Sequence, residues 1–306
     1  MTNTRWIDRA EYPFTSHHFQ TAAGKLHYVD EGDGEVIVML QGNPAWSFLY
    51  RKLIKQLSYP LPSPSPTSGR GVNFRCIAPD HIGFGLSDKP FDWSYLPEEH
   101  AKNVTALIEH LGLKDITLVM QDWGGPIGIH YAVTHPENVK RLMVLNTWAW
   151  PVDDDFHFTS FSAFMGGPLG RFLIKHFNFF ANSFMRAAFG DKRKLSKEAH
   201  QHYLHALPTE QDRKGCYVFP KQIVASTPWL ETIWGKIGAL KDKPTLFVWG
   251  MKDVAFREKE LLRWQNALPN SHTVRLPTVG HFVPEEASDE LAQAMVAFLK
   301  QEAIHD

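Results

Sequence analysis

The sequence predicts an α/β fold in which a mostly parallel sheet has helices on both faces and a helical segment is inserted between two late strands. Short apolar runs alternate with longer amphipathic stretches through most of the 306 residues, as expected where strands alternate with the helices that cover them. The alternation lapses between about Val152 and Trp229 and resumes at Thr245. We therefore expect a core domain of residues 1–151 and 230–306 and a helical cap domain of residues 152–229.

Each predicted strand is a short apolar run, and each predicted helix is a longer stretch with apolar residues on one face. The predicted strands are Leu26–Tyr28, Val36–Leu40, Arg75–Ala78, Ile116–Met120, Leu142–Leu145, Thr245–Trp249 and Thr273–Leu276. The predicted helices are Ser47–Leu57, Pro97–Leu111, Pro126–Thr134, Glu258–Ala267 and Asp289–Ala303 in the core, with Leu169–Phe180, Ser183–Phe189 and Ser196–Ala206 in the cap. The proline-rich stretch between Pro60 and Gly71 predicts an exposed loop.

The composition argues against several classes of partner. The 32 basic and 33 acidic residues are interspersed, so the chain lacks the basic stripe of a nucleic-acid-binding protein. No apolar run approaches the length of a membrane span, and residues 1–9 lack the apolar core of a signal peptide. The two cysteines, Cys76 and Cys216, are far apart in the chain, which fits a reducing compartment. We expect a cytoplasmic protein with no nucleic-acid or membrane partner, and the scattered His residues predict no metal site.

The strongest functional signal lies where the apolar run Ile116–Met120 stops at Gln121–Gly125. A buried strand that ends in a tight turn, with Gly-Gly opening a helix, is typical of an elbow that exposes one side chain above a parallel sheet. The residue at the apex is Asp122. A carboxylate is already ionised at neutral pH, whereas a hydroxyl must first lose a proton. Asp122 is therefore suited to attack a carbon that carries a leaving group, forming an ester that water must then cleave.

Two further polar residues follow apolar strands later in the chain. Asp253 lies just past Thr245–Trp249, and His281 lies just past Thr273–Leu276. An Asp in such a loop is usually a turn residue or a helix cap. A Gly-His pair is more often a turn in which hydrogen bonds within the fold occupy the His ring nitrogens. All three side chains nevertheless fall at the carboxyl ends of predicted parallel strands, where such sheets bind ligands. The order nucleophile, acid, His, together with the elbow, resembles the α/β-hydrolase family.

Three motifs narrow this resemblance. They are Gln41–Pro44, Asp80–Asp88 and the elbow Gln121–Gly125, and each follows a predicted strand. With these motifs the chain resembles the haloalkane dehalogenases over most of its length, from roughly Phe19 to Phe298. The resemblance implies an eight-stranded sheet with the cap inserted between its sixth and seventh strands.

Two positions separate the chain from the epoxide hydrolases, relatives that also use an Asp nucleophile. Those enzymes usually carry Gly where this chain has Met120, and Phe where it has Asn43. One position departs from the dehalogenase pattern, since relatives usually have His where this chain has Gln41. Gln41 is expected to support the loop that holds the oxyanion, so the departure concerns the support of the site and not its reacting groups.

The resemblance implies a role for each site residue. Asp122 is expected to be the nucleophile, His281 the base that activates water, and Asp253 the acid that orients His281. The side chains of Asn43 and Trp123 are expected to bind the leaving halide, and their backbone N–H groups to hold the oxyanion. The expected partners are a small apolar haloalkane, water and a halide ion, and no cofactor or metal is expected.

Two features select a branch of the family. Some members carry the orienting acid where this chain has Asn146–Trp148, which contains no carboxylate and so leaves Asp253 for this role. Some members take a halide donor from a Trp in the cap, but no Trp lies between Trp150 and Trp229, which favours Asn43. The same branch resembles the β-lactone decarboxylases of long-chain olefin synthesis. That activity therefore stays open beside dehalogenation, as do epoxide hydrolysis and ligand binding without catalysis.

The cap is unusually rich in phenylalanine. We expect most of these rings to form the cap's own core and some to line a pocket for an uncharged aliphatic substrate. The residues are Phe156, Phe158, Phe161, Phe164, Phe172, Phe177, Phe179, Phe180 and Phe184.

Overall fold

The computed structural model describes residues 5–59 and 74–302, so the predicted loop at 60–71 lies outside the described residues. Its centre is one eight-stranded sheet. The strands are β1 (His17–Thr21), β2 (Gly24–Glu31), β3 (Glu35–Leu40), β4 (Phe74–Pro79), β5 (Ile116–Gln121), β6 (Val139–Leu145), β7 (Thr245–Gly250) and β8 (Ser271–Leu276). Their order in the sheet is β1-β2-β4-β3-β5-β6-β7-β8. Pairs β1/β2 and β2/β4 are antiparallel and the other pairs are parallel, which confirms the predicted fold class.

The central strands are buried on both faces of the sheet. Every residue of β5 is buried, as expected for a parallel strand between two layers of helices. Successive side chains alternate between the layers, so that Val38 and Leu40 of β3 join one core cluster and Ile37 and Met39 join the other. The carboxyl ends of these strands consequently meet at one edge, where Asn43 and Asp122 follow.

Strand β1 was not predicted from the sequence. Its residues alternate between half-buried and exposed, and Phe19 is its one apolar side chain apart from the aliphatic portion of Thr21. An edge strand of this kind carries no continuous apolar run, so its antiparallel pairing with β2 leaves little trace in composition.

Helices cover both faces of the sheet. They are α1 (Arg51–Ser58), α2 (Pro97–His110), α3 (Gly124–Thr134), α4 (Phe156–Gly166), α5 (Pro168–Phe177), α6 (Met185–Ala187), α7 (Lys197–His205), α8 (Lys214–Ala225), α9 (Thr227–Trp234), α10 (Glu258–Ala267), α11 (Val283–Glu286) and α12 (Ser288–Glu302). Residues of α2 and α3 join the core cluster on one face, and residues of α1 and α12 join the cluster on the other.

The segment between β6 and β7 is helical and adds no strand to the sheet, all of its residues being described. Helix α5 ends at Phe177, three residues earlier than predicted, because Asn178 adopts a left-handed conformation with φ 50°. The chain then makes a π-helical turn over Phe180–Phe184 before α6. Helix α9 runs across the predicted cap boundary at residue 229, and its Trp234 packs edge-on against Trp150 at 4.9 Å.

A buried ion pair between α1 and α11 also binds the helical segment that lies between β6 and β7. Arg51 in α1 donates two hydrogen bonds to Glu285 in α11, at 2.5 and 2.8 Å. The hydroxyl of Tyr203, in α7 of the cap, donates to the same carboxylate at 2.7 Å. Burial by itself raises the pKa of Glu285, but the hydrogen bonds and charge of Arg51 outweigh it and hold that pKa below its usual range.

Candidate active site

Asp122 lies at the apex of the turn between β5 and α3. Its backbone φ of 51° is in the left-handed region, which residues other than glycine seldom adopt. Neighbouring backbone fixes the turn: the Asp122 N–H donates to Asn146 O at 3.1 Å, and Gly125 N–H donates to Asp122 O at 2.9 Å. Position 124, two residues after the apex, must be glycine, because a Cβ there would lie 2.0 Å from the Leu40 carbonyl oxygen. The sequence therefore builds the predicted elbow from a strained apex and a glycine that packs against β3.

The Asp122 carboxylate faces the loop that follows β3. Its Oδ1 accepts a hydrogen bond from the Asn43 backbone N–H at 2.9 Å, and the Trp123 backbone N–H also acts on the carboxylate to lower its pKa. The loop can approach this closely because Gly42 has no side chain: a Cβ there would lie 1.9 Å from Asp122 Oδ1. Burial raises the pKa of Asp122, while the charge of His281 and these N–H groups oppose the rise without cancelling it.

His281 lies between two carboxylates. Its Nδ1 is 2.8 Å from Asp253 Oδ2, and its Nε2 is 3.6 Å from Asp122 Oδ2. Burial lowers the pKa of His281, but the charge and hydrogen bond of Asp253, together with the charge of Asp122, raise it above its ordinary value. The structure thus brings together all three residues that the chain order singled out.

Two amides complete this arrangement, and sequence reasoning did not predict their contacts. Asn146 Nδ2 donates to Asp253 Oδ2 at 2.9 Å, and its Oδ1 accepts from the Gly250 backbone N–H at 2.8 Å. Gln121 Nε2 lies 2.8 Å from His281 Nε2. Gln121 is the last residue of β5 and Asn146 directly follows β6, both at the carboxyl edge of the sheet, which is the one signal in the sequence that could have pointed to them.

Asn43 and Trp123 lie side by side at the base of a pocket under the cap. The Asn43 Nδ2 is 3.4 Å from the Cys216 carbonyl oxygen, and its Oδ1 is buried without a partner among the described residues. The Trp123 ring stacks on Phe219 at 4.8 Å and meets Trp148 edge-on at 4.6 Å. The Asn43 amide and the Trp123 indole therefore line the same pocket as the Asp122 carboxylate.

The pocket has a volume of about 160 Å³ and is mostly apolar. Its walls come from α4, the π-helical turn, α8 and the loop after β7. The apolar side chains of the cap that line it are Phe158, Phe161, Phe180, Phe184, Pro220 and Ile223. Trp148 also lines it, whereas Trp150 packs away from it against Trp234 and Trp264. The arrangement suits a small uncharged molecule held with one end against Asp122.

Part of the expectation for the cap phenylalanines is wrong. Four of the nine rings are exposed instead of forming a cap core, at 85% for Phe156, 53% for Phe164, 50% for Phe172 and 59% for Phe177. Helices α4 and α5 pack against each other and against α8, and these contacts leave part of each helix exposed. Helix α8, with Pro220 inside it, supplies pocket wall that the sequence pattern did not reveal.

The backbone of the cap is bound directly to the loop that carries His281. The His281 N–H donates to Ala188 O at 2.9 Å. The Glu286 carboxylate accepts from the N–H groups of Gly190, Asp191 and Gly280, at 3.0, 2.7 and 2.8 Å. Hydrogen bonds therefore join residues 188–191 directly to the loop that carries His281.

Comparison with known proteins places this site in a family. The family model for the alpha/beta hydrolase fold matches residues 35–288. Haloalkane dehalogenase 2 of Mycobacterium tuberculosis is 39% identical over 93% of this chain and 95% of its own. The chain belongs to the haloalkane dehalogenase family of α/β hydrolases. A solved haloalkane dehalogenase, DatA from Agrobacterium tumefaciens, superposes with a TM-score of 0.80 at 25% identity, covering 94% of this chain and 96% of that one.

The chain also has relatives that are named for another activity. The cis-3-alkyl-4-alkyloxetan-2-one decarboxylase of Shewanella oneidensis is 33% identical over 94% of this chain and 89% of its own. An oxetan-2-one is a β-lactone, so the alternative raised by the sequence is represented among the relatives. The identity to haloalkane dehalogenase 2 is higher.

Two further properties bear on the surroundings of the site. Within the described residues, no group of three or more His, Cys, Asp or Glu side chains is arranged to hold a metal ion. None of the helices in residues 5–59 and 74–302 is both long and apolar enough to cross a membrane.

Proposed function

We propose that this protein hydrolyses carbon–halogen bonds of small haloalkanes through an alkyl ester of Asp122. The observation that carries the proposal is a carboxylate, unpaired with any Arg or Lys of the described residues, at the base of an apolar pocket and 3.6 Å from a His. The identity to haloalkane dehalogenase 2 supports it. The partners would be the haloalkane, water and the released halide ion.

In the first step Asp122 attacks the carbon that bears the halogen. The new bond joins its carboxylate oxygen to that carbon, the carbon–halogen bond breaks, and the halide leaves with the bonding electrons. Asn43 and Trp123 stabilise the developing charge, since an amide and an indole N–H in a dry pocket are effective donors to an anion. No proton moves in this step, so His281 is not needed for it.

In the second step His281 takes a proton from water, whose oxygen attacks the Asp122 carbonyl carbon. The backbone N–H groups of Asn43 and Trp123 hold the oxyanion, as their bonds to the free carboxylate suggest. Cleavage of the ester releases the alcohol and restores Asp122, with one proton released to solvent. Asp253 keeps His281 oriented and stabilises the imidazolium.

The β-lactone decarboxylases are the second candidate because they share the fold and cover most of the chain. Against them, the cavity of about 160 Å³ lies below the roughly 300–1,000 Å³ of pockets for drug-sized ligands, and such a lactone carries two alkyl chains. Incubation with 1,2-dibromoethane and, separately, with a long-chain β-lactone discriminates the two. Bromide without alkene supports dehalogenation, whereas alkene without bromide would assign Asn43 and Trp123 to a leaving carboxylate.

A trapped intermediate tests the order of the steps. In His281→Gln the first step should proceed and the second should stop, because the nucleophile needs no base but the water does. Mass spectrometry after incubation with 1-bromohexane should show the protein heavier by one hexyl group. An unmodified protein that still binds the substrate would mean that His281 acts before the ester forms.

We also propose that residues 152–229 act as a cap domain over a core of residues 1–151 and 230–306, in cytoplasm. The pocket under these helices supports the first part. Two buried, unpaired thiols, Cys76 and Cys216, support the second.

A further inference from the structure

Gln121 is a buried side chain in direct contact with the proposed catalytic base. It is the last residue of β5 and immediately precedes Asp122. Its Nε2 lies 2.8 Å from His281 Nε2 and 3.3 Å from the His281 carbonyl oxygen. Its Oε1 is buried and has no partner among the described residues.

The contact is consistent with one tautomer of His281. An amide nitrogen only donates hydrogen bonds, so in this orientation of the Gln121 amide His281 Nε2 accepts and carries its lone pair. The ring proton is then on Nδ1, where it is donated to Asp253 Oδ2 at 2.8 Å. A protonated His281 would instead direct an N–H at the N–H of Gln121. The bond therefore favours the neutral imidazole, the form of His281 that can act as a base.

We propose that Gln121 is a positioning residue that holds His281 neutral while Asp122 attacks, and then turns its amide so that Oε1 accepts the Nε2 proton during hydrolysis. The inference rests on the proposed function, because it assigns Gln121 a part in each of the two half-reactions. A rotation about the terminal bond of the side chain exchanges the two amide atoms, which gives the orphaned Oε1 its partner.

The charges around His281 explain why such a residue is needed. The charged groups that face its ring are Asp253 and Asp122, and both favour the protonated form. A protonated His281 would lie 3.6 Å from Asp122 and would weaken it as a nucleophile. Gln121 opposes this protonation without adding charge. When His281 later takes the proton of water, the ester has already neutralised Asp122, and Oε1 supplies an acceptor in its place.

Protonation of His281 can be followed without substrate. The ring nitrogens are titrated by 15N NMR, with His281→Gln identifying the resonance. Gln121→Met keeps the length of the side chain but removes the donor, so the pKa of His281 should rise. Gln121→Glu places an acceptor beside Nε2 and should raise it further. Gln41→Met is the matched control: Gln41 is also a buried amide, which donates to Pro79 O and makes no hydrogen bond to His281 in the described residues. This variant should leave the pKa of His281 unchanged.

The two half-reactions provide the second readout. At a pH where His281 is neutral in every variant, single-turnover experiments with 1-bromohexane separate alkylation from hydrolysis. Gln121→Met should slow hydrolysis about tenfold, the scale of one neutral hydrogen bond, and should leave alkylation nearly unchanged. A merely structural role would slow both steps together and leave the His281 pKa where it is.

An unchanged His281 pKa in Gln121→Met, with both half-reactions slowed equally or not at all, overturns the proposal. Should Gln121→Met not fold, the isosteric Gln121→Glu decides by the same titration. If the wild-type protein forms no alkyl ester with any haloalkane, the proposed function fails. The titration then still establishes whether Gln121 holds His281 neutral, so the two failures are distinguishable.

Discussion

Asp122 and Glu285 are both carboxylates in the protein interior, yet they have opposite surroundings. Glu285 receives two hydrogen bonds from Arg51 and one from Tyr203, its side chain is 1% exposed, and its pKa is lowered. Asp122 receives backbone N–H groups only, its side chain is 15% exposed, and its pKa is raised. Glu285, whose oxygens accept hydrogen bonds from Arg51 and Tyr203, stabilises the fold. Asp122 has no such partners on its pocket side and therefore retains a lone pair for bond formation.

Asp80 supports this interpretation from a third position. It is fully buried, and its oxygens accept from the backbone N–H groups of Ser47 and Leu86 and from His27. Burial raises the pKa of Asp80, but His27 and these bonds outweigh it and lower the pKa overall. Burial alone therefore does not mark the reactive carboxylate; the number and charge of its partners do.

The largest expected effect comes from removing the Asp122 carboxylate, which no Arg or Lys of the described residues neutralises. Asp122→Ala should abolish bromide release from 1,2-dibromoethane, a loss of roughly 10⁴-fold or more, because no other group can form the ester. Circular dichroism should show an intact fold, since Asp122 makes no ion pair with Arg or Lys in the described residues. Residual turnover well above background would place the nucleophile elsewhere.

Removing the Glu285 carboxylate should lower the stability of the fold and should not affect the chemical steps. Glu285→Met leaves Arg51 buried without its main partner and should cost about 3–5 kcal/mol of unfolding free energy. Because the folded-state pKa of Glu285 lies below 4.5, this stabilisation is present above that pH and is lost as the pH falls through the lowered value. Urea titrations of both proteins at neutral and acidic pH measure the difference. Equal stability at neutral pH would contradict the comparison.

The donors beside Asp122 should matter only in the transition state. Asn43→Ala should slow halide displacement by roughly two to three orders of magnitude, the usual worth of one such donor. The effect should be greater for chlorides than for iodides, because the poorer leaving group needs more stabilisation. Rapid-quench measurement of the alkyl ester isolates this step. Undiminished chloride release would transfer the role to Trp148, whose indole nitrogen is buried without a partner among the described residues.

The smallest expected effect is a difference between the pKa of His281 in the free protein and the pH at which ester hydrolysis declines. In the free protein Asp253 and Asp122 together raise the pKa of His281 above 6.5. In the ester Asp122 is neutral, so the pKa of His281 should fall. Ester hydrolysis requires neutral His281, so its rate should decline as the pH falls through this lower value. The acid limb of the hydrolysis rate should consequently lie below the His281 pKa of the free protein. Coincident values would mean that the charge of Asp122 does not contribute to the pKa of His281.

The sequence was most informative where local pattern and chemistry coincide. The elbow at Asp122 could be predicted because a buried strand, a tight turn and a glycine pair are consecutive in the chain. Asp253 and His281 could be predicted from their positions after strands, but their 2.8 Å contact could not be measured from order. The hydrogen bond of Gln121 to His281 spans 160 residues, and nothing in the immediate neighbourhood of either residue encodes it.

The cap was less predictable for a related reason. Aromatic residues occur on both its buried and its exposed faces, as Phe158 at 5% and Phe156 at 85% exposure illustrate. Apolar periodicity therefore does not reveal which face of a cap helix is buried. For the same reason the sequence did not predict α4 as a separate helix. Edge strand β1 was missed because half-burial leaves too few apolar residues to form a pattern.

Ala188 and Gly190 are hydrogen-bonded to the His281 loop and to Glu286. Ester hydrolysis should therefore depend on whether the cap stays packed as the protein is heated. If heat loosens the cap, it withdraws the base but leaves the nucleophile on its elbow. A molecule that partly melts beside a haloalkane would form the first bond while His281 is out of place to activate water. It would keep the alkyl group until the cap repacks and ester hydrolysis resumes, so an acid quench before cooling would capture the group as a mass label. The labelled fraction at the moment of quenching would then report how many molecules had an open cap.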